Sequence, residues 1–150
     1  MTKAALRKCF IIDIDGTIAD GAHRQPMLQQ EPRDWDAFFK ACVDDKRIEH
    51  MWEVVEALSI YADIVLVSGR SDLVLAETVA WLHQHEFTWS ALYMRKQGDH
   101  KPDDVLKIEL LAQLRADGWD PIMAFDDRNR VVKAWREAGV PCAQVAEGDF

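Results

Sequence analysis

The apolar run Phe10-Ile11-Ile12 near the start of the chain is followed directly by Asp13, and Asp15 comes two residues later. An aspartate is ionised at neutral pH and can attack phosphorus in line when a divalent cation cancels its repulsion from the phosphate. A second carboxylic acid two residues later can protonate the leaving oxygen and then deprotonate a water molecule. The spacing therefore predicts phosphoryl transfer at Asp13 and Asp15.

Two other interpretations of Asp13 and Asp15 compete with this one. A calcium loop of the EF-hand type has glycine at its sixth position and glutamate at its twelfth, where this chain has Ile18 and Arg24. That interpretation fails. In a structural role the acids would only cap a turn. Two carboxylates after a buried strand would then lose hydration without a cation to offset the cost in free energy. The structural role remains the alternative to a metal and phosphate site.

Polar residues also follow two later apolar runs. Ser68, Gly69 and Arg70 follow one, and Asp126 and Asp127 follow the other. Glycine lets the backbone approach a phosphate closely, and the planar guanidinium of arginine matches phosphate oxygens. Ser68 alone is equally typical of a turn, and Asp127 could instead cap the next helix with Asp126 as its buried neighbour. Taken together, Ser68, Gly69 and Arg70 favour phosphate binding. Asp126 and Asp127 together favour metal binding.

The acids at the strand ends could share a metal ion, and a lysine later in the chain could pair with an acid on its own helix. Mg²⁺ usually takes one or two carboxylates plus waters and substrate oxygens, so we expect it between Asp13 and the Asp126–Asp127 pair. Lys107 lies one helical turn after Asp103, so the two side chains can meet on one helix face. An ordinary surface ion pair explains that spacing equally well.

These residues fall at the ends of predicted strands. Apolar runs predict strands at 10–13, 63–68, 91–95, 121–125 and 141–146, and periodic apolar residues predict helices at 34–43, 49–59, 73–85, 103–116 and 129–138. Residues 19–33 are predicted to form a loop or small flap. The alternation predicts an α/β fold, a three-layer Rossmann-like parallel sheet of five strands with a minimal cap segment. The polar strand ends then meet at one edge of the sheet, where such folds place their chemistry.

The composition excludes several classes of function. A chain of 150 residues with a formal net charge of −8 makes one domain that lacks the basic footprint of a duplex-binding protein. The sequence contains no G-x-x-x-x-G-K-[ST] motif, so no ATP-binding half is expected. Three cysteines without a C-x-x-C pair, no signal-like apolar core and no membrane-length run predict a cytoplasmic protein with reduced thiols and no membrane partner.

The order of these motifs resembles the haloacid dehalogenase (HAD) superfamily of phosphohydrolases. The motifs are Asp13-x-Asp15-Gly16-Thr17, then Ser68, then a lysine, then Asp126-Asp127. From about Phe10 to Phe150 the chain is further similar to the 3′-phosphatase domain of bacteriophage polynucleotide kinase. The segments that carry this similarity are Val67-Ser68-Gly69-Arg70, Gln97-Gly98-Asp99, Asp103-Asp104-Val105-x-Lys107, Asp126-Asp127-Arg128 and Gln144-Val145-Ala146-x-Gly148-Asp149-Phe150. The resemblance implies a single HAD-like phosphatase domain over residues 1–150, with a minimal cap at about 19–47 and no kinase domain.

The resemblance also implies a role for each site residue. Asp13 would form the phospho-aspartyl intermediate, and Asp15 would act as general acid and base. Arg24 and Arg70 would hold the phosphate, with Thr17 and Gly69 in the same substrate-binding set. Ser68 and Lys107 would neutralise charge on the phosphate oxygens, and Asp103 would orient Lys107. Asp127, more than Asp126, would ligate Mg²⁺ together with Asp13 and the backbone carbonyl of Asp15.

The expected function is a Mg²⁺-dependent polynucleotide 3′-phosphatase that acts on DNA or RNA ends, including 2′,3′-cyclic phosphates, in end repair. The implied partners are nucleic-acid 3′ ends and a separate 5′-kinase and ligase, and a homo-oligomer is left open. The acidic net charge favours the nearest alternative, a small-metabolite or nucleotide phosphatase of the same superfamily. The alternative of another class is an inactive subunit that binds nucleic-acid ends. Trp35, Phe38 and Phe39 could stack a base, although such aromatics more often pack in a core.

Overall fold

The computed structural model describes residues 5–150. The first four residues of the predicted domain lie outside this range, as does part of the N-terminal stretch that lacks a signal-like apolar core. Its strands are β1 (Arg7–Ile12), β2 (Ala19–Asp20), β3 (Lys46–Arg47), β4 (Asp63–Ser71), β5 (Ala91–Arg95), β6 (Trp119–Asp126) and β7 (Cys142–Gln144). Its α-helices are α1 (Trp35–Lys40), α2 (Glu49–Ser59), α3 (Leu75–Gln84), α4 (Asp103–Ala116) and α5 (Asn129–Glu137). Short 3₁₀ helices cover Ala22–Leu28, Ala41–Asp44 and Asp72–Val74.

Five of the strands form one sheet in the order β5-β4-β1-β6-β7, and every neighbouring pair is parallel. The first strand therefore lies at the centre, which suits its unbroken apolar sequence because both faces of such a strand are covered. Alternate residues of β1 enter different cores, with Ile11 on one face and Phe10 and Ile12 on the other. The α/β fold with a five-stranded parallel sheet is confirmed.

The helices cover the two faces of this sheet and complete three layers. The leucines of α4 pack with Val131, Val132 and Trp135 of α5 against the Ile11 face. Helix α2, through Trp52, and helix α3, through Trp81, pack against the opposite face. Burial of these apolar stripes against both faces holds the carboxyl ends of the central strands in fixed relative positions.

Residues 19–47 form a small substructure of their own. Strands β2 and β3 pair antiparallel, with Ala19 opposite Arg47, and thereby bring the two ends of the segment together. The pair is tied to the body because the carbonyl of Ile18 accepts a hydrogen bond from the indole of Trp52 at 2.8 Å. The stretch 19–33, predicted as a loop or small flap, contains β2 and a 3₁₀ helix that includes Pro26.

Several element ends also differ from the sequence prediction. Strand β4 continues to Ser71, beyond the predicted end at Ser68, because Ser71 still pairs with Arg95 across an irregularity in the ladder. Strand β7 ends at Gln144, short of the predicted end at Ala146, because Gln144 pairs with Asp126, the last residue of its neighbour β6. Within residues 5–150, every helix is too short or too polar to cross a membrane.

Candidate active site

The ends of three adjacent strands open into one cleft of about 860 Å³. Asp13 follows β1, Gly69 and Arg70 lie near the end of β4, and Asp126 ends β6. The cleft is further lined by Asp15, by Arg24 of the 3₁₀ helix Ala22–Leu28, by Asp103 and Lys107 of α4, and by Asp127. The structure therefore brings together nearly all the residues that the sequence singled out.

Three buried carboxylates, from Asp13, Asp126 and Asp127, form the floor of this cleft. Each offers an oxygen, and these oxygens lie within 4.8 Å of one another. The ammonium of Lys107 donates to Asp13 Oδ1 at 2.8 Å and to Asp126 Oδ2 at 2.7 Å. Three carboxylates facing one lysine leave an excess of negative charge, and an all-oxygen donor set of this kind suits Mg²⁺. The residues thus fit the implied metal.

The pKa values of these acids reflect the same excess charge. Burial raises the pKa of Asp13 well above its usual range, Asp126 raises it further, and Lys107 acts in the opposite direction. Burial and the neighbouring Asp126 raise the pKa of Asp127 to about 6. Both shifts have the direction expected for buried carboxylates that lie close to one another.

Asp126 and Asp127 hold different positions in the cluster. Asp126 Oδ1 accepts the backbone N–H of Asp127 at 2.9 Å, and Oδ2 accepts the indole N–H of Trp135 in addition to Lys107. The carboxylate of Asp127 lies against Gly16, where a Cβ atom would stand 2.1 Å from Asp127 Oδ2. Gly16 has a φ of +82°, so both its conformation and its lack of a side chain are needed there.

Two arginines form the opposite wall around Asp15. Arg24 Nη2 and Arg70 Nη2 donate to Asp15 Oδ1 at 2.7 and 2.8 Å, and both arginines are almost fully buried. Burial raises the pKa of Asp15, but Arg70 and Arg24 outweigh it and hold that pKa below its usual value. The side chain of Asp15 remains 40 % exposed and faces the cleft.

Asp45, a buried carboxylate that the sequence analysis missed, accepts hydrogen bonds from both arginines on the side away from Asp15. Its Oδ2 accepts Arg24 Nη2 at 2.8 Å and Arg70 Nη2 at 3.0 Å. Its Oδ1 accepts Arg24 Nε at 2.8 Å and lies 2.7 Å from His23 Nε2. In the sequence, Asp45 follows Asp44 and precedes Lys46, a charge run that is typical of a solvated surface, so its spacing carries no signal of this role.

The predicted pairing of Asp103 with Lys107 is wrong. Lys107 turns inward to Asp13 and Asp126, as described above. Asp103 accepts hydrogen bonds from Arg95 Nη2 at 2.5 Å and from Arg128 Nη1 at 3.1 Å. It also lies against Gly69, where a Cβ atom would stand 2.6 Å from Asp103 Oδ1. The two side chains leave one helix toward different partners because the buried Asp13 and Asp126 attract the lysine more strongly than the partly buried Asp103.

Thr17 and Ser68 lie beneath the surface of the cleft. The hydroxyl of Thr17 donates to Asp13 Oδ2 at 3.0 Å, and the hydroxyl of Ser68 accepts the backbone N–H of Arg70 at 3.1 Å. Both residues are 0 % exposed. Each of the two hydroxyls therefore contacts a candidate catalytic residue, Asp13 or Arg70. Direct contact of Thr17 or Ser68 with a substrate stays a prediction.

The family model for the phosphatase domain of polynucleotide kinase PNKP matches residues 7–150. The chain belongs to this family. As a PNKP-type phosphatase domain of the HAD fold, it is a phosphoric monoester hydrolase.

Individual relatives agree with this assignment. A protein of Autographa californica nuclear polyhedrosis virus, named as a bifunctional polynucleotide kinase/RNA ligase, is 26% identical over 136 residues, which cover 89% of this chain and 18% of that protein. A chain in the structure of the Pnkp1/Rnl/Hen1 RNA repair complex is 28% identical with a TM-score of 0.84, over 97% of this chain and 44% of that one.

A class C acid phosphatase from Bacillus anthracis, solved with tungstate bound, is 14% identical with a TM-score of 0.62, over 95% of this chain and 70% of that one, and shares the fold alone. The present PNKP-type phosphatase domain spans less than half the length of the viral protein and of the chain in the repair complex.

Proposed function

We propose that this domain is a Mg²⁺-dependent polynucleotide 3′-phosphatase that acts on RNA or DNA ends through a phospho-aspartyl intermediate on Asp13. The observation that carries the proposal is one cleft in which Asp13 has a carboxylate cluster on one side and an arginine-bound acid, Asp15, on the other. Family membership supports the polynucleotide substrate, and the viral relative and the RNA repair complex support a role in end repair.

In the proposed reaction Asp13 is the nucleophile. Thr17 donates to one of its oxygens and Lys107 to the other, so the carboxylate is fixed in orientation before the phosphate enters. Asp13, Asp127 and the backbone carbonyl of Asp15 would hold Mg²⁺, with Asp126 positioning Asp127 and Lys107. Bound there, Mg²⁺ would reduce the repulsion between the nucleophile and the phosphate and stabilise charge on its oxygens.

The arginines Arg24 and Arg70 would bind the phosphate oxygens. In the structure they donate to Asp15, while Asp45 anchors them from behind, so a phosphate can take over the front donors without moving the guanidinium groups. Asp15 would then lose the hydrogen bonds that keep its pKa low, and burial would raise that pKa. An acid released in this way can protonate the leaving 3′ oxygen and later deprotonate water.

We extend the proposal to partners with the complementary activities. The viral relative is named as a kinase joined to an RNA ligase, and the RNA repair complex contains Pnkp1, Rnl and Hen1. A phosphatase that leaves a 3′-hydroxyl prepares an end for a ligase, and a kinase supplies the opposing 5′-phosphate. We therefore propose that this domain acts beside a 5′-kinase and a ligase.

The test is phosphate release, with Mg²⁺ and with EDTA, from a 3′-phosphorylated oligonucleotide, its 5′-phosphorylated twin and a 3′-mononucleotide. We expect metal-dependent release from the 3′ oligonucleotide and at least roughly a thousandfold loss in Asp13→Asn. Asp120 is exposed and lies at the start of β6, at the opposite end of that strand from Asp126, and it provides the matched control Asp120→Asn. Equal release from the mononucleotide would move the function to metabolite turnover, and full activity of Asp13→Asn would overturn the mechanism.

A further inference from the structure

The cleft is much larger than a phosphate group requires. Its volume of about 860 Å³ lies in the range of pockets that enclose a whole drug-sized ligand. The carboxylates and arginines described above occupy only its inner end. Most of the remaining lining comes from the 19–47 segment, from the loop after β5 and from Phe150.

One side of the outer cleft is an aromatic wall formed by Trp35, Phe38 and Phe39 of α1. Their rings contact one another, with centroid separations of 5.9 Å for Trp35–Phe38, 6.1 Å for Trp35–Phe39 and 5.5 Å for Phe38–Phe39. Helix α1 has six residues, half of them these aromatics, and buries none of them fully. A core role therefore does not explain the wall, and contiguous apolar surface that lines a cleft is a common feature of ligand-binding sites.

The three rings differ in what they can offer a ligand. Phe38 packs its ring against the guanidinium of Arg24 at 4.6 Å, so it supports the phosphate-binding arginine. Phe39 is partly buried and contacts both other rings. Trp35 is 46 % exposed and lines the cleft, which makes its indole the surface that an entering group would meet.

The charge of the cleft argues that contacts other than phosphate neutralisation must hold a nucleic acid. Eight aspartates and seven Lys or Arg residues line it, within a chain of net charge −8. Proteins that bind the phosphate backbone of a nucleic acid electrostatically do so with an excess of Lys and Arg. Base stacking on an aromatic ring does not depend on charge, and removing such a ring typically weakens binding roughly 5- to 150-fold per base.

We propose that Trp35 is a specificity-determining residue that stacks on the 3′-terminal nucleobase of the substrate. The inference rests on the proposed function and adds the part of the substrate that the outer cleft recognises. The phosphate lies at the inner end, against Asp13 and the arginines, and the terminal nucleoside extends outward along the aromatic wall. Recognition is confined to the end of the strand because the cleft offers no continuous basic surface.

The test uses two 3′-phosphorylated oligonucleotides that differ only in the terminal nucleotide, which either carries its base or is a stable abasic analogue. We expect Trp35→Ala to lower kcat/KM about tenfold on the intact end, mainly through KM, and less than about twofold on the abasic end. Trp35→Phe should restore most of the loss. Tyr61, 71 % exposed at the end of α2 and outside the cleft, gives the control Tyr61→Ala, which should leave both substrates unaffected.

Equal losses on the two substrates would overturn the proposal, because a disturbance of Phe38 and Arg24 would act on both. Failure of the proposed function is a separate outcome, in which the wild-type protein releases phosphate from neither oligonucleotide. Fluorescence anisotropy with a 3′-hydroxyl oligonucleotide then decides the role of Trp35. Weaker binding by Trp35→Ala, restored in Trp35→Phe, supports stacking, and unchanged binding overturns it.

Discussion

Nη2 of Arg70 lies 2.8 Å from Oδ1 of Asp15. This contact joins the group proposed to bind phosphate to the group proposed to transfer the proton. The same guanidinium donates to the buried Asp45 at 3.0 Å, so the arginine is held whether or not Asp15 keeps its hydrogen bond. In the proposed mechanism, this one side chain couples phosphate binding to activation of the acid.

Replacement of Asp45 by asparagine should destabilise the domain and weaken phosphate binding together. The change leaves buried Arg24 and Arg70 without their rear counter-ion, which costs about 3 kcal/mol of unfolding free energy. We expect product inhibition by inorganic phosphate to weaken at least about tenfold, since the arginines lose their fixed position. Urea unfolding and phosphate inhibition measure the two effects. The exposed neighbour Asp44 provides the control Asp44→Asn, and an Asp45→Asn protein as stable and as inhibitable as that control would contradict this role.

The metal-free protein should lose stability as the pH rises from about 4 to about 6. Burial and Asp126 raise the pKa of Asp127 in the folded protein to about 6, above the ordinary 3.8 of an unfolded chain. Between these values the folded state binds more protons than the unfolded state, so the free energy of unfolding falls with rising pH. Because metal ligands must be deprotonated, stabilisation by Mg²⁺ should grow over the same range.

Melting temperatures measured against pH, in EDTA and in Mg²⁺, test this prediction. Asp127→Asn removes the titrating group, so its metal-free pH dependence should be shallower and its stabilisation by Mg²⁺ should be lost. A wild-type protein whose melting temperature in EDTA rises steadily from pH 4 to pH 6 would show that carboxylate repulsion does not dominate this site.

Gly16→Ala should be more damaging than glycine replacement at an equally strained but open position. An alanine at φ +82° is disfavoured by about 1–2 kcal/mol, and its Cβ would also displace Asp127 Oδ2, which lies 2.1 Å away. Gly118 has φ +99° with open space around its Cβ position, so Gly118→Ala carries the conformational cost alone. We expect Gly16→Ala to lose stabilisation by Mg²⁺ and phosphatase activity. Equal behaviour of the two variants in thermal unfolding with Mg²⁺ would argue against close contact between Gly16 and Asp127.

A double-mutant cycle should couple Asp103 more strongly to Arg95 than to Lys107. Arg95 and Asp103 are directly hydrogen-bonded, and contacting pairs show interaction energies of about 0.5–3 kcal/mol. Asp103 and Lys107 bond to different partners, so their interaction energy should be clearly smaller than that of Asp103 with Arg95. Asp103→Asn combined with Arg95→Met or with Lys107→Met, measured by urea unfolding, provides both cycles. Strong coupling to Lys107 alone would restore the pairing expected from helix spacing.

The sequence was sufficient to predict the acids at the ends of β1 and β6, because unbroken apolar runs identify central strands and their ends meet at one edge. It was insufficient for Asp45, whose partner Arg24 is 21 residues away in a segment with no periodic pattern. Helix spacing showed that Asp103 and Lys107 were able to meet, but spacing contains no information about the buried aspartates that attract the lysine. Local pattern predicts elements, whereas charge partners across elements depend on the tertiary fold.

The order of strands in the sheet also bears on how the domain gains its activity during folding. Cys9 pairs with Asp63, and Ile12 pairs with Phe125, so strands that are neighbours in space are distant along the chain. Contacts between distant segments form slowly because much chain entropy is lost before they stabilise the protein. In a refolding experiment, helical circular dichroism should therefore recover before hydrolysis does, and the return of turnover marks completion of the central sheet.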